Sequence, residues 1–204
     1  MSVTAPPDGA IAPHFCTWKT EVSWISNAEA EFAKWLFVHV AGVLLSEKAG
    51  ELLTLPETQF GLSLKQRLAH LARLAGRWQC SYMVLQRSVF STKIILYHEG
   101  RVQQALAETP CSILHGQLHY DPGITPTEFL GEVRRRWQKN NRIPHEIGLA
   151  LGYPVKDVLG FMGLLPLSCL GCYGWRIYDD LAHSMRMSQE FIRAKQRAAA
   201  FLSV

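Results

Sequence analysis

Charge is scarce in this 204-residue chain: 19% of its residues are Asp, Glu, Lys or Arg, while 48% are hydrophobic. An average soluble domain carries roughly 25% charged residues. The scarcity excludes intrinsic disorder over most of the length, because disorder requires low hydrophobicity and high charge. Long apolar runs are also missing. The longest helical-looking one, Trp35 to Leu45, is about half of the ~20 residues that a membrane span requires, and His39 interrupts it. The first fifteen residues contain Pro6, Pro7 and Pro13 but no Lys or Arg, so the charged start and apolar stretch of a signal peptide are absent. Five cysteines make an odd set without regular spacing, which suits reduced thiols rather than a disulfide framework. A chain of this size buries roughly 70% of its unfolded surface and folds without such staples. Phosphate loops, G-x-G-x-x-G, G-x-S-x-G and calcium-loop patterns do not occur. These absences together predict a soluble, cytoplasmic protein with no membrane span.

Lys plus Arg outnumber Asp plus Glu by 21 to 17. Residues 1–60 are net −4, residues 61–120 net +5 and residues 121–204 net +3. The densest basic run is Arg134-Arg135-Arg136 with Lys139 and Arg142. On a helix whose buried line is Val133 and Trp137, these arginines fan around the circumference. The two short helices that follow resemble a helix-turn-helix in outline, but the second contributes only Lys156. A DNA-reading helix needs phosphate-binding and base-reading groups there. Nucleic acid is therefore not the expected partner, and helix 134–142 remains an alternative reading only.

Hydrophobic periodicity outlines the elements. Residues 1–18 read as a flexible leader and 19–204 as a single domain. A helix capped at Asn27 carries Phe32, Trp35, Leu36, His39, Val40, Val43 and Leu44 on one side. Ser63 and Gln66 form a capping-box pattern, as do Thr125 and Glu128 around Pro126. Alternation from Trp78 to Val84, then Thr92 to His98, predicts an antiparallel hairpin. Glu99–Glu108 reads as a short helix and Pro110–Gly123 mostly as loop. Short helices follow from Pro144 to Leu151 and from Pro154 to Met162. Cys172–Tyr178 reads as a third strand, and Asp179 or Asp180 caps a final helix. The predicted fold is α+β: several helices around a small, mainly antiparallel sheet of about three strands.

The stretch from Pro144 to Phe161 is distinctive: Pro-His-Glu-Ile-Gly at 144–148, Leu-Gly-Tyr-Pro at 151–154, Asp157-Val158 and Gly160-Phe161. It resembles the most characteristic segment of a bacterial family known only as domain of unknown function 3793. The Cys172–Tyr178 stretch is similar to that family's Cys-Gly-Tyr-Trp-Lys-Val-Tyr strand, with Gly and Tyr exchanged and Arg and Ile in place of Lys and Val. His39 in an apolar helix, the Lys48-Ala49 step and the Ile94–Tyr97 strand add to the likeness, which covers roughly residues 30 to 200. The resemblance implies a small cytoplasmic bacterial protein and supplies no activity. It carries an association with iron, haem or redox metabolism, so haem or iron is the cofactor expectation.

Several residues could carry chemistry. His145 beside Glu146 could do acid–base work, although neighbours on a helix diverge by about 100° and Leu149 breaks a zinc-protease pattern. Glu146 would otherwise serve the helix dipole. Cys169 and Cys172 form a C-x-x-C, which could be a redox pair or half a zinc site with Cys111, His115 or His119. His39 could ligate haem or activate Cys172, which with His145–Glu146 makes an enzyme the main rival to a small binding or accessory protein. On the final strand, Trp175 and Tyr178 offer aromatic faces, as does Tyr153, and Arg176 offers a cation. Between Ile143 and Tyr178 only Glu146, Lys156, Asp157 and Arg176 are charged. Those charges and His145 are where a site for a small ligand or a protein partner is expected.

Overall fold

Ile94-Ile95-Leu96-Tyr97, the most apolar of the expected strand segments, is buried on both sides in the computed structural model, which describes residues 13–22, 26–56 and 59–203. The chain runs through helices α1 (Pro13–Val22), α2 (Asn27–His39) and α3 (Ala41–Leu45) into strand β1 (Gly50–Pro56). Helix α4 (Leu64–Arg77) leads to strands β2 (Ser81–Arg87) and β3 (Ser91–Tyr97). Helices α5 (Glu99–Glu108), α6 (Cys111–Leu114), α7 (Pro126–Asn140), α8 (Ile147–Leu151) and α9 (Val155–Phe161) follow. A small hairpin of β4 (Gly171–Tyr173) and β5 (Trp175–Ile177) precedes the long α10 (Leu181–Ser203).

The main sheet is antiparallel with strand order β1-β3-β2. Central position explains the composition of β3, since a strand covered on both faces reads as a continuous apolar run. Its side chains alternate between two cores. Ile94 and Leu96 join Leu53 and Leu55 of β1 in a core built with α1, α2, α3, α4 and the end of α10. Ile95 and Tyr97 join a second core with α5 through α9. A register shift between Val84 and Gln86 marks a bulge, and Leu85 there is fully buried in the second core. The molecule is α+β, with helices on both faces of the sheet and the small hairpin packed at one end.

Several local expectations hold. Ser63 and Gln66 close a capping box at α4, and Thr125 and Glu128 close another at α7. Asp180 accepts from the His183 backbone N–H at 2.9 Å and so caps α10. Other expectations need correction. The first cap is Ser26, not Asn27, and the helix breaks at Val40 before α3. Trp78 closes α4 instead of starting a strand. The third strand of the sheet is Gly50–Pro56; Cys172–Tyr178 instead folds back on itself at Gly174 (φ +84°) as a separate hairpin. Leu53 and Leu55 flanking an outward Thr54 give β1 only a short alternation, which sequence reading passes over. Helix α6 lies in the stretch expected to be mostly loop.

The leader boundary also moves. Residues 1–12 lie outside the described residues, but α1 begins at Pro13, and Phe15 and Trp18 are core residues. Trp18 stacks on Phe37 at 4.7 Å and meets Trp78 edge-on at 5.5 Å. An ion pair from Glu21 to Arg77 joins α1 to α4. Trp18 is 1% exposed, so Trp18→Ala should cost about 3–5 kcal/mol. Urea unfolding of the full chain checks this, and a loss below ~1 kcal/mol would mean that α1 is not part of the core.

Candidate functional site

The segment that carries the family resemblance folds into two short helices whose packing leaves a hollow. Helix α8 ends at Gly152, whose φ of +77° supplies the left-handed turn. The Tyr153 N–H then returns to the Gly148 carbonyl at 3.1 Å, closing a Schellman-type cap. Only glycine serves there, since a Cβ would sit 2.6 Å from the Ala49 backbone nitrogen. Pro154 starts α9, whose Gly160 takes the Tyr178 ring against its backbone; a Cβ would come within 2.7 Å of it.

Asp157, in the first turn of α9, is 1% exposed. Its Oδ2 accepts from Trp175 Nε1–H at 2.8 Å and from the Ser184 hydroxyl at 2.7 Å. Its Oδ1 accepts from the backbone N–H groups of Tyr178 at 2.7 Å and Asp179 at 3.1 Å. One carboxylate thus ties α9 to the hairpin and to the start of α10. Trp175, held through its indole N–H, stacks on Tyr153 at 4.7 Å and 19°. Phe191 of α10 stands 6.1 Å behind it.

Between these parts lies a cavity of about 240 Å³. Ile143, Ile147, Leu151 and Val158 line its apolar wall, with Tyr153 and Trp175 at one side. Phe161, 41% exposed, stands at the rim. His145 meets the Phe161 ring edge-on at 4.9 Å, and the Arg176 guanidinium lies over the same ring at 5.7 Å. Both side chains are exposed. Among the described residues Arg176 has no carboxylate partner within ion-pair distance. Behind Tyr153 is a charged cluster. Glu51 accepts from Lys48 at 2.6 Å and from Lys195 at 3.1 Å, and Lys48 lies 5.4 Å over Phe191. Burial pulls the Lys48 ammonium below its usual pKa, with Glu51 opposing, and burial pushes the Tyr153 phenol up.

The structure thus gathers five of the expected residues, His145, Tyr153, Asp157, Trp175 and Arg176, around one cavity, and the others do not line it. Tyr178 touches the arrangement through its backbone N–H and its packing on Gly160. Glu146 points away from His145 into a buried network. It accepts from Tyr120 Oη at 3.1 Å and from Arg136 at 2.8 Å, and makes no cap bond to α8. Glu146, at the N-terminus of α8, is instead held in an ion pair with Arg136. His39 is half-buried at the end of α2, with Nδ1 2.8 Å from the Trp35 carbonyl. Cys172 is exposed, faces Arg176 across the hairpin and bonds neither His39 nor His145. Cys111 and Cys169 are also exposed, and His115 Nδ1 lies 2.7 Å from the Tyr120 carbonyl. Among the described residues no group of three or more His, Cys, Asp or Glu is arranged to hold a metal ion. The arginines at 134–136 divide as well: Arg135 and Arg136 bind Glu132, while Arg134 lines a separate hollow beside Arg87.

The Ile94–Tyr97 segment forms β3, as the resemblance implies, whereas the stretch similar to the family's strand at Cys172–Tyr178 is a hairpin. The model of the family described as "Protein of unknown function (DUF3793)" matches residues 36–204. The chain belongs to that family. No curated protein and no solved structure matches it. The match takes in the whole cavity and the second core, and leaves out α1 and most of α2, which contribute to the first core. No helix among the described residues is long and apolar enough to cross a membrane.

Sequence reading picked out Asp157 only as one of few charges and did not identify its role as the central acceptor. The available signal was the single acid of a short helix that is otherwise apolar apart from Lys156. Ile147, Leu151 and Val158 looked like ordinary core, and only their position facing an unfilled space distinguishes them.

Two predictions follow from these networks. In Asp157→Asn an amide NH₂ must face at least one N–H donor, so a loss of about 1–3 kcal/mol is expected. Unfolding measurements, with hydrogen exchange at the Trp175 indole, check it; unchanged stability and exchange would contradict the four-bond arrangement. In the Glu132 network, hydrogen bonds from Arg135 come first in drawing the carboxyl down to about 2, with burial opposing. A depressed folded-state pKa stabilises above the ordinary carboxylate value, and that contribution is lost as pH falls. Stability should therefore decline between pH 4.5 and about 2. Glu132→Gln should flatten that part of the pH–stability curve measured in urea.

Proposed function

We propose that this chain is a binding or accessory protein that holds a small, largely apolar organic molecule in the cavity between α8, α9 and the β4–β5 hairpin. The observation that carries the reading is the combination of a largely apolar lining, an aromatic side, one fully hydrogen-bonded carboxylate in the wall, and His145 and Arg176 exposed beside Phe161. Small-molecule sites have that construction: hydrophobic lining with a few placed polar groups. At about 240 Å³ the space is below the ~300–1,000 Å³ of pockets for drug-sized ligands, which favours a metabolite of one ring or a short chain. A haem macrocycle is too large for it, and His39, the expected axial ligand, lies at the end of another helix. The association with iron or redox metabolism would therefore be indirect, through a partner. Five free thiols, four of them exposed, suit a reducing cytoplasm.

The enzyme reading is weaker, because neither the Cys–His nor the His–Glu pair is assembled. The same cavity could still precede a reaction on a partner protein, which is what an accessory role means here.

A fragment screen by NMR tests the proposal. Single-ring and short-chain fragments should shift the Trp175 indole and the Gly148 and Gly160 amides at millimolar concentration or below. Ile143 is 38% exposed at the rim, so Ile143→Trp should obstruct entry and weaken binding roughly tenfold without unfolding the chain, a change worth ~1.4 kcal/mol. Shifts scattered elsewhere, or none at these groups, would overturn the reading.

A further inference from the structure

We infer that the ligand of this cavity carries an anionic head group, a carboxylate or a group of like charge and shape, seated at Arg176 with His145 beside it. This rests on the cavity being a ligand site. The apolar interior cannot solvate a charge, so a charged end must remain at the rim. The rim's charge is set by two side chains that rest on one ring, Phe161. Arg176 is exposed, with no carboxylate partner among the described residues, and its planar fork is free to receive a carboxylate in bidentate geometry.

The one carboxylate on the cavity wall does not reverse that sign. Asp157 accepts four hydrogen bonds from Trp175, Tyr178, Asp179 and Ser184, which uses both oxygens and turns them toward the hairpin and α10. Glu146, the nearest acid in the chain to His145, is committed to Arg136 and Tyr120. A cationic ligand has no comparable seat. Aromatic faces attract cations, but Tyr153 and Trp175 are stacked on each other, and Arg176 already lies over Phe161. An ammonium there would meet a guanidinium.

Three probes of one shape and different charge test this: phenylacetate, phenylacetamide and phenethylamine, titrated into the full chain by NMR at Trp175. Phenylacetate should bind tightest and phenethylamine weakest. Arg176→Ala should weaken phenylacetate roughly tenfold or more, the range for a lost charge-assisted hydrogen bond, and leave phenylacetamide unchanged. Arg176→Lys should fall between. Arg87→Ala, which removes the same charge away from the cavity, should have no effect. Equal affinity for all three probes, or no response of phenylacetate to Arg176→Ala, would overturn the anionic head group while leaving the cavity a ligand site. Tightest binding by phenethylamine would reverse its sign. If none of the three shifts Trp175, and Ile143→Trp changes nothing, both readings fall together.

Discussion

A carboxylate buried without a cation survives only if its oxygens are fully hydrogen-bonded, since the alternative is an uncompensated charge out of water. Asp157 meets that condition through four donors, from one indole, one hydroxyl and two backbone amides. The requirement organises everything around it. The β4–β5 hairpin must present Trp175 on one side and the amides of Tyr178 and Asp179 on the other. Helix α10 must begin where Ser184 can reach. Trp175 is then fixed against Tyr153, and Tyr153 is fixed by the turn at Gly152 against Ala49. The cavity is what remains between elements positioned in this way. Hydrogen bonds set its hairpin side, while Ile147, Leu151 and Val158 on the other side belong to the second core.

The same logic places two charged side chains that belong to the family-like segments. Glu146 and Lys48 are buried polar groups with partners: Arg136 and Tyr120 for the first, Glu51 for the second. Removing one member of such a pair leaves the other stranded, so these residues are needed for the fold whatever the site does. Arg176 and His145 differ because they are exposed and rest only on Phe161. In a chain with so few charges, that contrast separates groups buried in the structure from groups left at its surface.

Much of the local structure was legible in advance. Ser63–Gln66 and Thr125–Glu128 act through neighbours three residues apart, and Asp180 through an amide three residues on, so sequence spacing suffices to find them. The β-rich run at Thr92–His98 likewise marks a strand, and its continuous apolar residues at 94–97 fit the two-sided burial that the structure gives it. The third strand escaped notice because Gly50–Pro56 begins with Gly, ends with Pro and alternates only at Leu53–Leu55. The Cys172–Tyr178 stretch misled because alternation does not reveal a reversal at a single glycine. Trp18 was assigned to a loose leader because prolines nearby outweighed one aromatic whose partners, Phe37 and Trp78, lie far along the chain.

The sequence by itself determined the α+β class, the capping boxes of α4 and α7 and the family, because each depends on residue type and short-range spacing. Tertiary structure decided which of the candidates meet. His145, Tyr153, Trp175 and Arg176 come together, while Glu146, His39 and Cys172 go elsewhere, because hydrogen bonds and ring contacts join residues tens of positions apart. Periodicity reports which face of an element is apolar. It does not report which neighbour fills that face, or where a space is left unfilled.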